Sequence, residues 1–106
     1  MNLVSMSNLT FLDLSQNALT SIHGLDGCSN LMHLDLDHNR ITRIGGLATL
    51  KRLHTLRLSH NQLISTKGVG DCLSLQVLHV SHNHLSSLVD IDKLGILQSL
   101  NASSNN

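Results

Sequence analysis

The chain has 106 residues, 41% of them hydrophobic and 1% aromatic, with seven basic residues balanced by seven acidic ones and eight histidines besides. Balanced charge, with no Lys/Arg run longer than Lys51-Arg52, excludes the electrostatic footprint of a nucleic-acid or anionic-membrane binder and leaves proteins as the expected partners. The opening MNLVSMSNLT has neither the basic n-region nor the unbroken apolar stretch of a signal peptide, and no apolar run is long enough to span a bilayer, so a cytoplasmic location is expected.

From Leu9 onward the chain repeats every 22 residues. Leu9, Leu31, Leu53, Leu75 and Leu97 keep that spacing, and so do Asn17, Asn39, Asn61, Asn83 and Asn105. A fixed period in the twenties is the mark of a stacked solenoid. The first unit reads Leu9-x-x-Leu12-x-Leu14-x-x-Asn17-x-Leu19, and the next three carry Leu31, Leu34, Leu36, Asn39, Ile41, then Leu53, Leu56, Leu58, Asn61, Leu63, then Leu75, Leu78, Val80, Asn83, Leu85. The fifth, Leu97, Leu100, Ala102, Asn105, stops at Asn106. Leu3 and Met6 match the columns of Leu25 and Cys28, and neither end shows a polar cap. The expected organisation is one array over 1–106 of about 4.5 repeats, an uncapped piece of a longer one.

Alternation around Leu12-x-Leu14 has the period of two that makes a half-buried strand, which predicts strands near 11–13, 33–35, 55–57, 77–79 and 99–101. After each asparagine the period becomes three: Leu19, Ile22, Leu25, Cys28, Leu31, then Ile41, Ile44, Leu47, Leu50, Leu53. Three residues per turn is the repeat of a 3₁₀ or polyproline-like segment and argues against a full α-helix on the return limb. Gly24, Gly46 and Gly68 share one column, where a tight bend into that limb needs them, and Asp90 in the same column is expected to change the bend. Strands that repeat in one direction pair in parallel, with the apolar columns stacked between strand and return limb. The carboxamides of Asn17, Asn39, Asn61, Asn83 and Asn105 can bond the donors and acceptors of the turning backbone as it leaves each strand. Cys28 and Cys72 lie two repeats apart in one column, about 10 Å at ~4.8 Å per strand, too far for a disulfide, so reduced core thiols are expected.

The pattern Leu-x-x-Leu-x-Leu-x-x-Asn-x-Leu/Ile-x-x-Ile/Leu resembles leucine-rich repeats, and the 22-residue length is similar to the short subclass typified by the protein phosphatase-1 regulatory subunit. The runs LTSIHGLDGCSNL, RITRIGGL and NQLISTKGVGDC more loosely resemble the repeat region of leucine-rich-repeat and IQ-motif-containing proteins, although the IQ segment itself is absent. The resemblance implies the α/β class: a right-handed horseshoe solenoid with a parallel concave β-sheet and 3₁₀ or irregular convex limbs. It further implies a noncatalytic scaffold that docks protein partners on the concave face, without a cofactor or small-molecule substrate; the second likeness adds a cytoskeletal or ciliary association. A structural spacer is the contrasting reading.

The residues flanking each central strand leucine fall on that face. One column is Phe11, His33, Thr55, Val77, Ser99 and the other Asp13, Asp35, Arg57, His79, Asn101, so that the expected partner-binding residues are Phe11, Asp13, His33, Asp35, Arg57, Val77 and His79. Adjacent strands should bring Asp35 to Arg57 as an exposed pair worth ~0.2–1 kcal/mol. The resemblance implies acidic and aromatic concave residues for a phosphatase-binding role; here the concave acids are few, Asp13, Asp35 and Asp37, and Phe11 is the single aromatic, which speaks against that role.

His38, His60 and His82 form a column with Gln16 just before the asparagines. Zinc requires three or four ligands converging on one centre, which a straight column at ~4.8 Å does not preset, so these histidines are at most weak metal candidates and no metal site is expected. Stacked histidines should instead make stability fall below about pH 6.5. His33 with Asp35, and Ser59 with His60, are the nearest approach to a catalytic grouping, but an open curved sheet implies no enclosed pocket, and no enzyme is expected. The glycosylation tripeptides at Asn8 and Asn101 read as incidental. Thr66 and Ala102 replace core residues and Ile64 stands where other units carry Thr20, Thr42 or Ser86; irregularity is expected over Ile64 to Gly70, as a packing defect with a lateral contact as the alternative.

Overall fold

A computed structural model describes residues 6–105; Leu3, expected in the column of Leu25, and Asn106 lie outside the described residues. Five three-residue strands, β1 (Phe11–Asp13), β2 (His33–Asp35), β3 (Thr55–Arg57), β4 (Val77–His79) and β5 (Ser99–Asn101), form one sheet in sequence order. All neighbours are parallel and offset by one period, pairing Phe11 with His33, Leu34 with Leu56, Arg57 with His79 and Leu78 with Leu100. An insertion-free period makes this register inevitable, because each coil sets its leucine directly over the last.

The ladder of backbone bonds continues past the strands. Leu14 N–H donates to Asp35 O, Leu36 to Arg57 O and Leu58 to His79 O at 2.7–2.8 Å, and the next turn adds His38 N–H to Ser59 O and His60 N–H to Ser81 O at 3.0 and 2.9 Å. Tiny strands are thus held by a longer run of inter-coil bonds.

The core lies between the sheet and the return limbs. Leu34, Leu56 and Leu78 are wholly buried, whereas Leu100, covered by a coil on one side among the described residues, is 38% exposed. On the limbs, the period of three has a local cause: Leu50 N–H bonds Leu47 O, Leu53 N–H bonds Leu50 O, and Cys72 and Leu75 repeat this with Val69 and Cys72. Each inward side chain is followed by a three-residue turn that delivers the next one inward. Regular 3₁₀ turns occur at Val69–Asp71 and Ile91–Lys93, and no α-helix occurs among the described residues. Cys28 and Cys72 are fully buried in the column they share with Leu50 and Leu94, and burial pushes both thiols up, Cys72 to about 11.

Two expectations are corrected on these limbs. Gly24, Gly46 and Gly68 have φ of 77°, 68° and 103°, and Asp90 adopts the same left-handed bend at 70°. Its carboxylate supports that bend by accepting from Gly68 N–H at 3.1 Å and pairing with Lys93 Nζ at 3.2 Å, so the bend is preserved. These bonds hold its carboxyl below the usual range. Nor is there a packing defect at Thr66: it is fully buried, and its hydroxyl donates to Val89 O at 2.5 Å, which satisfies the polar group that replaces an aliphatic one.

Candidate protein-binding face

Alternation puts the central leucine of each strand into the core and its two neighbours on the open face of the sheet. Phe11, Asp13, His33, Asp35, Arg57, Val77 and His79 all stand there, in two columns across four strands. At one end the Phe11 ring lies parallel to the His33 imidazole, centroids 4.5 Å apart, with Phe11 56% exposed. Farther along, His54 and Thr55 share a 2.8 Å side-chain bond beside half-buried Val77.

The second column divides into two kinds of residue. Where it carries a short acid or amide, the side chain folds back on its own chain: Asp13 accepts from Ser15 N–H at 2.9 Å, Asp35 from Asp37 N–H at 3.0 Å and Asn101 from Ser103 N–H at 3.2 Å. The Ser15 bonds, with the charge of His33, hold the Asp13 carboxyl below its ordinary range. Where the column carries Arg57 and His79, the corresponding N–H must be satisfied differently. Ser59 N–H donates to Asp37 Oδ1 at 2.8 Å, and Ser81 N–H to Ser59 Oγ at 3.2 Å, each from the coil before.

This buried ladder, Asp37 to Ser59 to Ser81, changes the expected ion pair. Arg57 approaches Asp35 only at 3.8 Å, but its Nε and Nη2 both reach Asp37 Oδ2 at 2.8 Å. Asp37 is 7% exposed, so the guanidinium neutralises a nearly buried carboxylate, whereas Asp35 spends an oxygen on its own turn. The column Ser15, Asp37, Ser59, Ser81, Ser103 was a readable signal of this ladder, since polar residues recur there at the same period. It also occupies the Ser59 hydroxyl, which accepts from Ser81 Oγ at 2.9 Å and lies buried instead of facing His60 as a nucleophile.

At the strand exits Asn39 donates through Nδ2 to Leu14 O and Leu36 O at 3.0 Å, and its Oδ1 accepts from Leu19 N–H at 3.0 Å. Asn61 and Asn83 repeat the scheme, and Asn105 closes on Val80, Ala102 and Leu85. Asn17 is exposed and, among the described residues, bonds within its own coil, to Leu14 O and Ser15 O.

The residue before each asparagine has φ of 54–59° at Gln16, His38, His60, His82 and Ser104. Left-handed backbone is tolerated by histidine better than by most residues. The conformation aims the side chains outward in file, and His38, His60 and His82 stack face to face, centroids 4.3 and 4.2 Å apart and planes within 10°. Parallel rings do not point three nitrogens at one centre. The middle imidazole resists protonation: desolvation, then His82 and His38, push the His60 pKa down against the pull of Asp37.

Stacked 22-residue coils with a leucine core, parallel sheet and asparagine ladder define the leucine-rich-repeat class, and family models for leucine-rich repeats match residues 2–41, 29–69 (as two copies) and 74–94. The chain is a leucine-rich-repeat protein. No curated protein matches it. Among solved structures it is similar to internalin C2 of Listeria monocytogenes, at 28% identity with a TM-score of 0.86 over 94% of this chain. It is likewise similar to a leucine-rich-repeat protein of Leptospira interrogans, at 30% identity and a TM-score of 0.88 over 97%. A functional domain of InlJ from L. monocytogenes that includes a cysteine ladder matches at 27% and 0.82 over 93%. The chain spans 44%, 27% and 21% of those three chains, less than half of each.

Proposed function

We propose that the chain is a noncatalytic protein-binding module whose partner docks across the open face of the sheet, in a cytoplasmic setting. Leucine-rich-repeat folds serve generally in protein–protein interaction, which supports the class. The observation that carries the site is Phe11: a large ring held parallel to His33 and more than half exposed among the described residues is a rigid apolar anchor on the open face. Val77, His79 and Arg57 extend it with an aliphatic, an imidazole and a guanidinium surface. Asp13 and Asp35 contribute less, because turn bonds already engage them. The unbroken 22-residue period supports the short-repeat subclass.

The test is affinity capture with the chain and with a Phe11→Ser, His33→Ala, Val77→Ser, His79→Ala variant, folding being checked by circular dichroism. Specific partners of the unaltered chain should be lost from the variant. Equal recovery would defeat docking on this face and favour a spacer.

A further inference from the structure

The open face leaves unexplained a groove on the flank of the solenoid, past the asparagine ladder. Thr42, Arg43 and Ile44 of one coil and Ile64, Ser65, Lys67 and Gly68 of the next enclose about 480 Å³ there. Ile64 is 69% exposed, the most exposed large aliphatic among the described residues. Its column carries Thr20, Thr42 and Ser86 in the other coils, so the fold asks only for a small polar side chain at that place. Ile64 therefore serves no core here, in contrast to its neighbour Leu63, which is wholly buried.

The charge of the groove is one-sided. Each coil contributes one cation, Arg43 and Lys67, and neither forms a salt bridge among the described residues. No acid lines the groove. Asp90 feels the charge of Lys67, but its oxygens are already engaged by Gly68 N–H and Lys93 Nζ. Two cations, one on each coil, beside the aliphatic side chains of Ile44 and Ile64 leave a positive site in a molecule of zero formal net charge.

We propose that this groove is a second docking site, for an acidic peptide segment that places one aliphatic or aromatic residue against Ile64 and Ile44 and carboxylates near Arg43 and Lys67. The apolar residue supplies contact area and removes Ile64 from water, while the carboxylates supply orientation and a salt-dependent attraction. A basic or uncharged segment with the same anchor lacks that attraction and is rejected by two like charges or left without a counter-charge.

The probe is a library of random dodecapeptides displayed on phage and selected on the immobilised chain. The recovered peptides should carry several Asp or Glu residues around a single apolar anchor. Their affinity, measured by fluorescence anisotropy, should fall about tenfold or more with Ile64→Thr and with the Arg43→Glu, Lys67→Glu pair. It should also weaken between about 50 and 300 mM salt. Every substituted side chain is exposed, and Thr already occupies positions 20 and 42, so folding is expected to persist; circular dichroism checks it. The proposal is overturned if no peptide is recovered, if the peptides lack an acidic bias, or if they bind the groove variants as tightly as the unaltered chain. Peptides weakened instead by Phe11→Ser read the open face and overturn it too, whatever they say of that first site.

Discussion

Replacing Asn61 by alanine tests how the ladder holds the coils together. Its Nδ2 donates to Leu36 O, Leu58 O and Ser59 O at 3.0–3.2 Å, and its Oδ1 accepts from Ile41 N–H at 2.9 Å. These four bonds are not equally costly to lose. Leu36 O keeps a donor in Asn39 Nδ2, Leu58 O keeps Asn83 Nδ2, and Ser59 O keeps His38 N–H. Ile41 N–H, by contrast, loses the acceptor that satisfies it inside the fold. A buried donor left unpaired costs ~1–3 kcal/mol, and three weakened carbonyls add a fraction each, for a total of about 2–4 kcal/mol. At Asn17 the same change removes two exposed bonds and orphans no such amide among the described residues, so about 1 kcal/mol or less is expected. Urea unfolding followed by circular dichroism compares the two, and hydrogen exchange reads the Ile41 amide directly. That amide should lose protection in Asn61→Ala selectively. Equal destabilisation at positions 17 and 61, or an Ile41 amide as protected as before, would falsify the idea that an orphaned donor dominates the cost.

Further outcomes follow from the other contacts. In double-mutant cycles, Arg57 should couple to Asp37 by about 1 kcal/mol and to Asp35 by only a few tenths, since the former pair is close and the latter long, with the exposure of Arg57 limiting both; the reverse order would show that Asp35 is the true partner. His60 has a lowered pKa when folded, so the unfolded chain takes up its proton first, and stability should decline as pH falls through about 6.5 and level off below the folded value. Thermal melts from pH 7.5 to 5.5 would show the decline, and His60→Gln, the residue type that Gln16 places in the same left-handed column, should flatten it. Cys72, buried and with its thiol pushed up to about 11, should resist iodoacetamide at neutral pH and react readily in denaturant, as peptide mapping would reveal. Gly46→Ala should destabilise by roughly 1 kcal/mol or more, because the added Cβ falls 2.6 Å from Ile22 O at a φ of 68°; an unchanged urea midpoint would mean that the bend relaxes.

Much of the architecture is legible in one dimension. Leu12, Leu34, Leu56, Leu78 and Leu100 announce the strand centres, and the uninterrupted spacing implies a parallel register, because equal coils can stack in phase without strain. The open-face columns follow from simple alternation. Position 90 misleads for an instructive reason: composition alone says that Asp replaces Gly, but an αL bend is open to Asp when its carboxylate finds a donor, here Gly68 N–H of the coil before. Thr66 misleads in the same way, since only the folded chain brings the Val89 carbonyl to its hydroxyl.

The sequence by itself therefore determined a stack of 22-residue coils, the inward leucines and the residues on the sheet's open face, because those depend on period and polarity alone. Tertiary structure decided which side chains meet between coils. Arg57 turns more closely to Asp37 than to Asp35, the histidines lie ring on ring, and Ile64 stands beside Arg43 and Lys67 in a groove. Those choices depend on backbone turns, rotamers and competing hydrogen bonds within a few ångströms, which the spacing of residues along a chain does not encode.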